Sequence, residues 1–367
     1  MANDTGGGGG YDMRSIEVLE GLEPVRRRPG MYVGDTQDGT GLHHLLWACV
    51  GNVTDLHLAR RAAHLRVDLR GGWVEVEDDG PGFPIGVHPR TGKSAVEVIM
   101  TTLYCGAAWD DERTGYRLHP GLFGLGLAVV NALSEELEIE TRAQGRLYRQ
   151  RYRRGYPLGP LEDAGPSART GTRLRFRPDP TIFSRTELDA SLVRERLHEL
   201  AYLNPALTVH FGGEGFRERL GLQGWISSLA RGRGAGREHP VVTVAGEHED
   251  VQVEVALSWA GRGPAVVHSF VCQNRTLDGA HLKGLRAGLR QGLLDPGIRP
   301  GVARELLADG LLAAIHVGLH HPRFGSPTRD RLLSPEAHRA VRILVRDRLR
   351  ELRRRGSPLL EAIAARS

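Results

Sequence analysis

The chain has 367 residues, 40% of them hydrophobic and 25% charged, with a net charge of +5, which is the composition of a globular protein long enough to hold two cores. No apolar run approaches the roughly 20 residues of a membrane helix and no basic-then-apolar leader opens the chain, so the expectation is a cytoplasmic protein with no membrane partner. Cys49, Cys105 and Cys272 form no Cys-x-x-Cys pair, which argues against a disulfide framework or zinc site, and the positive balance is an arginine bias, since lysine occurs only at Lys93 and Lys283.

Met1 to Gly10 ends in five glycines and reads as a flexible arm. A helix is expected from Ile16 to Arg28, on the spacing of Ile16, Leu19, Leu22 and Val25, with a stop at Pro29-Gly30. A stronger helix runs from Leu42 to about Ala59 and puts His44, Ala48, Asn52 and Asp55 on one face at i, i+4, i+8 and i+11. Strands follow at Leu65 to Leu69 and Gly72 to Glu77, then a helix from Ser94 to Leu103, a polar loop to Pro120, and a helix through Leu133. Strands at Leu137 to Arg142, Gly145 to Tyr152 and Thr170 to Phe176 alternate as in an antiparallel sheet with one covered face, and a helix from Leu188 to Leu203 closes the first unit. The Gly- and Arg-rich stretch from Phe211 to Gly234 reads as a boundary with a short helix at Trp225 to Leu229. Beyond it come strands at Val241 to Val244, Val251 to Trp259 and Val266 to Cys272, a helix from His281 to Leu294, a strand from Leu311 to Val317, and an arginine-rich helix from Pro335 to about Arg354.

Two stretches carry chemistry. In Val76-Glu77-Asp78-Asp79-Gly80-Pro81-Gly82-Phe83-Pro84 a strand empties into two carboxylates and a Gly-Pro-Gly turn. A carboxylate fixed at a strand end accepts from an amine such as that of adenine, and glycines let backbone lie flat against a ring; the alternative is an ordinary strand-to-helix loop. Gly121, Gly124 and Gly126 open a helix, where backbone amides and the positive helix end suit a phosphate, or where the glycines simply pack a tight turn.

The string from Val18 to Thr36, continued by Asp38 to His44, Ala95 to Leu103, Val129 to Ser134 and Thr170 to Thr172, resembles the N-terminal region of the bacterial DNA gyrase B and topoisomerase IV proteins, and Asn274, Asp278-Gly279 and His281-Leu282 resemble that family's transducer domain. The resemblance implies an α+β chain. A flexible arm, 1–15, would precede an ATP-binding sandwich of the gyrase, Hsp90, histidine kinase and MutL (GHKL) type, 16–219, and a transducer domain like the second domain of a ribosomal protein, 220–367. It also implies ATP and Mg²⁺ as cofactors. Asp78 would accept from the adenine amine, with Gly82, Pro84 and Thr172 around the base, and Asn52 would hold the metal. Gly121, Gly124 and Gly126 would cradle phosphates, Arg142 would stand at the mouth where coumarin inhibitors also bind, and Arg329 would meet the γ-phosphate. Tyr11 and Ile16 fall where the family's arm crosses to a second copy, so the implied partners are a homodimer mate, other gyrase or topoisomerase subunits, and DNA.

The chain departs from this pattern at the chemical step. The family's catalytic glutamate, one turn before the metal asparagine, is Ala48 here, so no catalytic base is retained, although His44, which assists that glutamate, remains. Leu56 and Pro81 replace a charged pair at the pocket edge, Pro120 and Phe123 alter the lid, and Pro327-Thr328-Arg329 replaces a Gln-Thr-Lys loop. Three readings follow: a nucleotide-binding module with weak or no hydrolysis and no DNA cleavage of its own; a regulatory protein that pairs with gyrase subunits or sequesters a gyrase inhibitor; and the ATPase subunit of a split topoisomerase.

Overall fold

The computed structural model describes residues 17–105, 126–233, 240–294, 307–326 and 328–357. Tyr11, Ile16, Pro120, Gly121, Phe123, Gly124 and Pro327 lie outside them. The expected helix from Ile16 to Arg28 is reduced to α1, Glu23–Arg27, because residues 17–20 are irregular, Gly21 turns at φ +59° and Pro24 fits only the first helical turn. After α2, Gly30–Val33, comes α3, Thr40–Leu58, whose inner face buries Leu42, Leu45, Leu46, Cys49, Val50 and Val53. His44, Ala48, Asn52 and Asp55 share the less buried face, as the spacing predicts.

The first sheet begins with the antiparallel pair β1, His64–Arg70, and β2, Trp73–Asp78. The helices α4, Ala95–Thr101, capped by the Ser94 hydroxyl, and α5, Gly126–Ala132, follow. Next come β3, Ser134–Ala143, β4, Arg146–Arg153, the short β5, Tyr156–Pro157, and β6, Glu162–Pro166, then β7, Gly171–Pro178, and α6, Ala190–Leu203. Two strands not expected from the sequence follow α6: β8, Thr208–Phe211, lies parallel to β1, and β9, Glu214–Phe216, within the Gly- and Arg-rich stretch, pairs with β8. The order is β5-β4-β3-β7-β2-β1-β8-β9, with β6 on β4, so β2 and β7 lie side by side at the centre. One face packs on the helices through Leu65, Val67, Val76, Leu137, Ile139, Leu174 and Phe176. The other carries paired charges such as Arg173 with Glu75 and Glu140, and Arg175 with Glu138. That division is what the period-2 pattern requires.

The short helix expected at Trp225 is a full one, α7, Gly221–Arg233. The second sheet holds β10, Val242–His248, β11, Val251–Pro264, β12, Val266–Val271, and β13, Asn274–Arg275; β14, Asp278–Gly279, leads into α8, Ala280–Leu294. β15, Asp309–Gly318, then enters between β11 and β12, β16, Arg331–Leu332, pairs with β14, and α9, Pro335–Arg354, ends the described chain. β11 alternates only in its first half. From Val255 to Ala260 every residue is buried, because α7 covers one face of this sheet while α8 and α9 cover the other. No described helix is long and apolar enough to cross a membrane.

Candidate functional site

β2 delivers two adjacent carboxylates to the same loop and the fold gives them different tasks. Asp79 Oδ1 accepts from the amides of Ala63 and His64, at 2.8 and 2.9 Å, and so ties the loop to the start of β1. Asp78 is 9% exposed, and both of its hydrogen bonds land on Oδ1, from Gly80 N at 2.7 Å and Thr172 N at 3.3 Å. Oδ2 is left for an outside donor. Burial pushes the Asp78 carboxyl up to about 6, against the pull of those two amides. It is ionised at neutral pH and primed to gain from a hydrogen-bond donor that enters the same dry corner.

The corner is built by close backbone approach. A Cβ on Gly171, where φ is +129°, would stand 2.1 Å from the Asp78 carbonyl oxygen. A Cβ on Gly82, at φ +77°, would stand 2.6 Å from the Arg142 carbonyl and 2.8 Å from Thr141 Oγ1. The Gly80-Pro81-Gly82 turn therefore lies directly on β3, pinned by the Phe83 amide donating to Thr141 Oγ1 at 2.6 Å. Thr141 and Gly171 are site residues that sequence reasoning did not single out; the signal for Gly171 was its place between two threonines at the start of a strand. Pro84 is exposed at the far end of the turn, and Leu56 adjoins Gly80. Arg142 at the rim is held by Glu77 at 2.9 Å and Glu140 at 3.5 Å.

Across from this corner stands α3. Asn52 Nδ2 donates to the Ala48 carbonyl at 2.9 Å, which fixes the amide and keeps Oδ1 as the open acceptor. That oxygen suits a hard cation, although no cluster of three or more His, Cys, Asp or Glu able to hold a metal occurs among the described residues. Ala48, one turn earlier, offers only a methyl group. His43 is structural: its Nδ1 donates to the Gly39 carbonyl at 2.9 Å and its Nε2 accepts from the Asp189 amide at 3.2 Å. His44 is lowered from its ordinary value by burial, and the charges acting on it come from Asp330, Arg329 and His43. Arg329 and Asp330 of the second unit thus act on α3, and Thr328 Cγ2 stands 2.9 Å from where a Cβ on Gly34 would be. Arg329 is itself lowered by burial and partly supported by Cys272 and Asp55, on the same face as Asn52. Asp78, Thr172, Gly82 and Arg142 are brought together at one end, with Asn52, His44 and Asp55 on one face of α3 and Arg329 of the second unit acting on that face. Gly126 starts α5, and Gly121 and Gly124 lie outside the described residues.

Residues 37–182 match the model for the histidine kinase-, DNA gyrase B- and HSP90-like ATPases, and residues 221–367 match the DNA gyrase B model. The DNA gyrase B protein of Thermotoga maritima is 38% identical over 364 residues, covering 93% of this chain and 57% of the relative. The chain thus spans about half the length of the curated relatives it matches. The 43K ATPase domain of Thermus thermophilus gyrase B, solved with an aminocoumarin, aligns with a TM-score of 0.76 at 32% identity, covering 94% of each chain. A topoisomerase IV ATP-binding domain of Francisella tularensis, solved with a small-molecule inhibitor, aligns at 0.71 with 25% identity over 95% of this chain and 97% of that one.

Proposed function

Given that the chain belongs to the DNA gyrase B family and matches its N-terminal ATPase and transducer region, we propose that it binds ATP with Mg²⁺ and hydrolyses it weakly or not at all. The observation that supports this is a buried carboxylate, Asp78, with both of its hydrogen bonds on Oδ1, beside a helix face that carries Ala48 one turn before Asn52. Asp78 Oδ2 accepts from the adenine amine, Thr172 and Gly82 shape the base site, and Asn52 Oδ1 ligates the metal. Gly121, Gly124 and Gly126 cradle the phosphates, and Arg142 guards the mouth. Hydrolysis needs a base to take a proton from the attacking water, and a methyl group has none to offer. Magnesium, when bound, screens the phosphate charge, and Arg329 supplies the cation on the γ side.

In this reading the units are 16–219 and 220–367, a second copy joins through Tyr11 and Ile16, and gyrase or topoisomerase subunits and DNA are partners of the assembly. The test is Ala48→Glu. ATP turnover by the variant should exceed that of the parent chain by ~10²-fold or more, the usual worth of a positioned general base. Calorimetry with ATP and Mg²⁺ should show binding by both. Parental turnover that Ala48→Glu fails to raise would refute the loss of the base. Absence of nucleotide binding would refute the pocket and leave the regulatory reading.

A further inference from the structure

Away from the nucleotide corner, the two units meet again at a turn. Six turns among the described residues hold two successive residues at positive φ, and four of them use glycine, which does so without strain. The two that do not are Glu249-Asp250 and Cys272-Gln273. Glu249-Asp250 is exposed and closes β10 on β11, where a ladder running the whole length of β10 dictates the turn. Cys272-Gln273, at φ +45° and +69°, joins β12 to a β13 of only two residues and is buried, at 1% and 6% exposure. So short a hairpin does not by itself hold a costly backbone conformation; the first unit supplies the hold.

Both contacts come from α6 and the residue that ends it. Arg196 Nη2 donates to the Gln273 backbone carbonyl at 2.8 Å, and Asn204 Nδ2 donates to Gln273 Oε1 at 2.9 Å. Arg196 is itself fixed, with Nη1 on Glu199 Oε2 at 2.8 Å and its guanidinium carbon 5.0 Å from the Phe270 ring centre. The seated turn also carries a penalty, since Gln273 Nε2 is buried with no hydrogen-bond partner. Two directional bonds therefore work against two strained residues and one stranded amide, which leaves the seat close to balance. The rest of the junction is apolar: Tyr202 and Leu203 of α6 pack with Leu222, Trp225 and Ile226 of α7. Apolar contact is non-directional, so it keeps two bodies together without fixing their angle.

We propose that the Cys272-Gln273 turn is a releasable catch between the units. Seated on Arg196 and Asn204 it fixes their angle; released, it relaxes its backbone and lets them turn about the apolar contact. Thr328 and Arg329 belong to the same unit as the turn, so the angle set at Gln273 also sets how closely they meet Gly34 and α3. None of this requires a bound nucleotide.

The test is double electron-electron resonance on the full chain, spin-labelled at Arg70→Cys in the first unit and Lys283→Cys in the second, both exposed positions. Cys105→Ser leaves only the buried Cys49 and Cys272 as other thiols. The parent should give one narrow distance. Gln273→Met, which cuts the side-chain bond at similar size and leaves every charged pair intact, should broaden that peak. Adding Arg196→Lys, which keeps a cation for Glu199 but not the fork that also reaches Gln273, should abolish it. Labels at Arg70→Cys and Arg90→Cys, both within the first unit, should keep the parental distance throughout, which separates release from unfolding. A parental distribution that is already broad, a peak unchanged by Gln273→Met, or equal broadening of the pair within the first unit would overturn the proposal.

Discussion

Gly171→Ala should damage the site far more than its single added methyl group suggests. The new Cβ would sit 2.1 Å from the Asp78 carbonyl oxygen and 3.3 Å from the Asp79 Cα, and the backbone there is at φ +129°. A carbon and an oxygen in van der Waals contact stand more than 3 Å apart, so β2 and β7 must separate by about 1 Å at the point where Asp78 receives the Thr172 amide. The backbone angle, which only glycine holds without strain, adds about 1–3 kcal/mol. Together the two effects should exceed about 3 kcal/mol, or a melting temperature lower by about 6–12 °C for a unit of this size. Gly145→Ala is the control: its φ is +77° but nothing lies within 4 Å of the added atom, so strain alone acts, at about 1 kcal/mol and 2–4 °C. Both variants would be followed by thermal denaturation and by calorimetric titration with ATP and Mg²⁺. Gly171→Ala should lose nucleotide affinity while Gly145→Ala keeps it. Equal melting temperatures and equal affinities would refute the claim that contact between β7 and Asp78 builds the corner.

Protonation of Asp78 provides a second handle. Because its folded value is raised to about 6 from an ordinary 3.8, the folded state holds this proton more tightly than the unfolded one, and its contribution to stability is greatest below about pH 4 and falls by up to about 3 kcal/mol as pH rises through 6. Nucleotide affinity should run the other way, dropping ~10-fold between pH 7 and pH 5 as the stronger, ionised acceptor is lost; Asp78→Asn should flatten both profiles, and a parent chain with pH-independent affinity would exclude Asp78 as the acceptor. For the loop from the second unit, Arg329→Met removes a positive charge that lowers His44, so the His44 imidazole should titrate at higher pH in the variant. NMR titration with His44→Gln for assignment reads this directly, and an unmoved resonance would place Arg329 away from α3.

The features legible in the sequence were those set by local periodicity. The face shared by His44, Ala48, Asn52 and Asp55 needs only 3.6 residues per turn, and the buried Val74 and Val76 of β2 need only alternation. What escaped was set by pairing at a distance. β8 was missed, and with it β9 inside the Gly- and Arg-rich stretch, because β8 pairs with β1, some 140 residues earlier, through His64↔Thr208 to Val67↔Phe211. The helix expected from Ile16 begins only at Glu23 because Gly21 leaves helical space, a conformation that apolar spacing does not report. Composition and spacing alone do not separate Asp78 from Asp79; in the sequence only the family resemblance does. Only the amides of Ala63, His64 and Thr172, brought in by other strands, make one a staple and the other an open acceptor.

The same contrast bears on the proposed separation of binding from hydrolysis. The base corner is woven into the sheet: Gly82 lies on β3, Gly171 on the end of β2, and the buried Asp78 joins β2 to β7 through the Thr172 amide. A change at any of them disturbs strand pairing and is felt as lost stability. Position 48 is different. The residues of α3 that fill the core are Leu42, Leu45, Leu46, Cys49, Val50 and Val53, whereas Ala48 sits on the half-buried face with Asn52, whose amide bonds to the backbone carbonyl at 48 whatever the side chain there. Alanine is also the best helix former, so the helix loses nothing by having it. In the proposed reading, folding therefore protects Asp78 as the acceptor and leaves position 48 unguarded, so a loss of hydrolysis is expected to come long before a loss of binding.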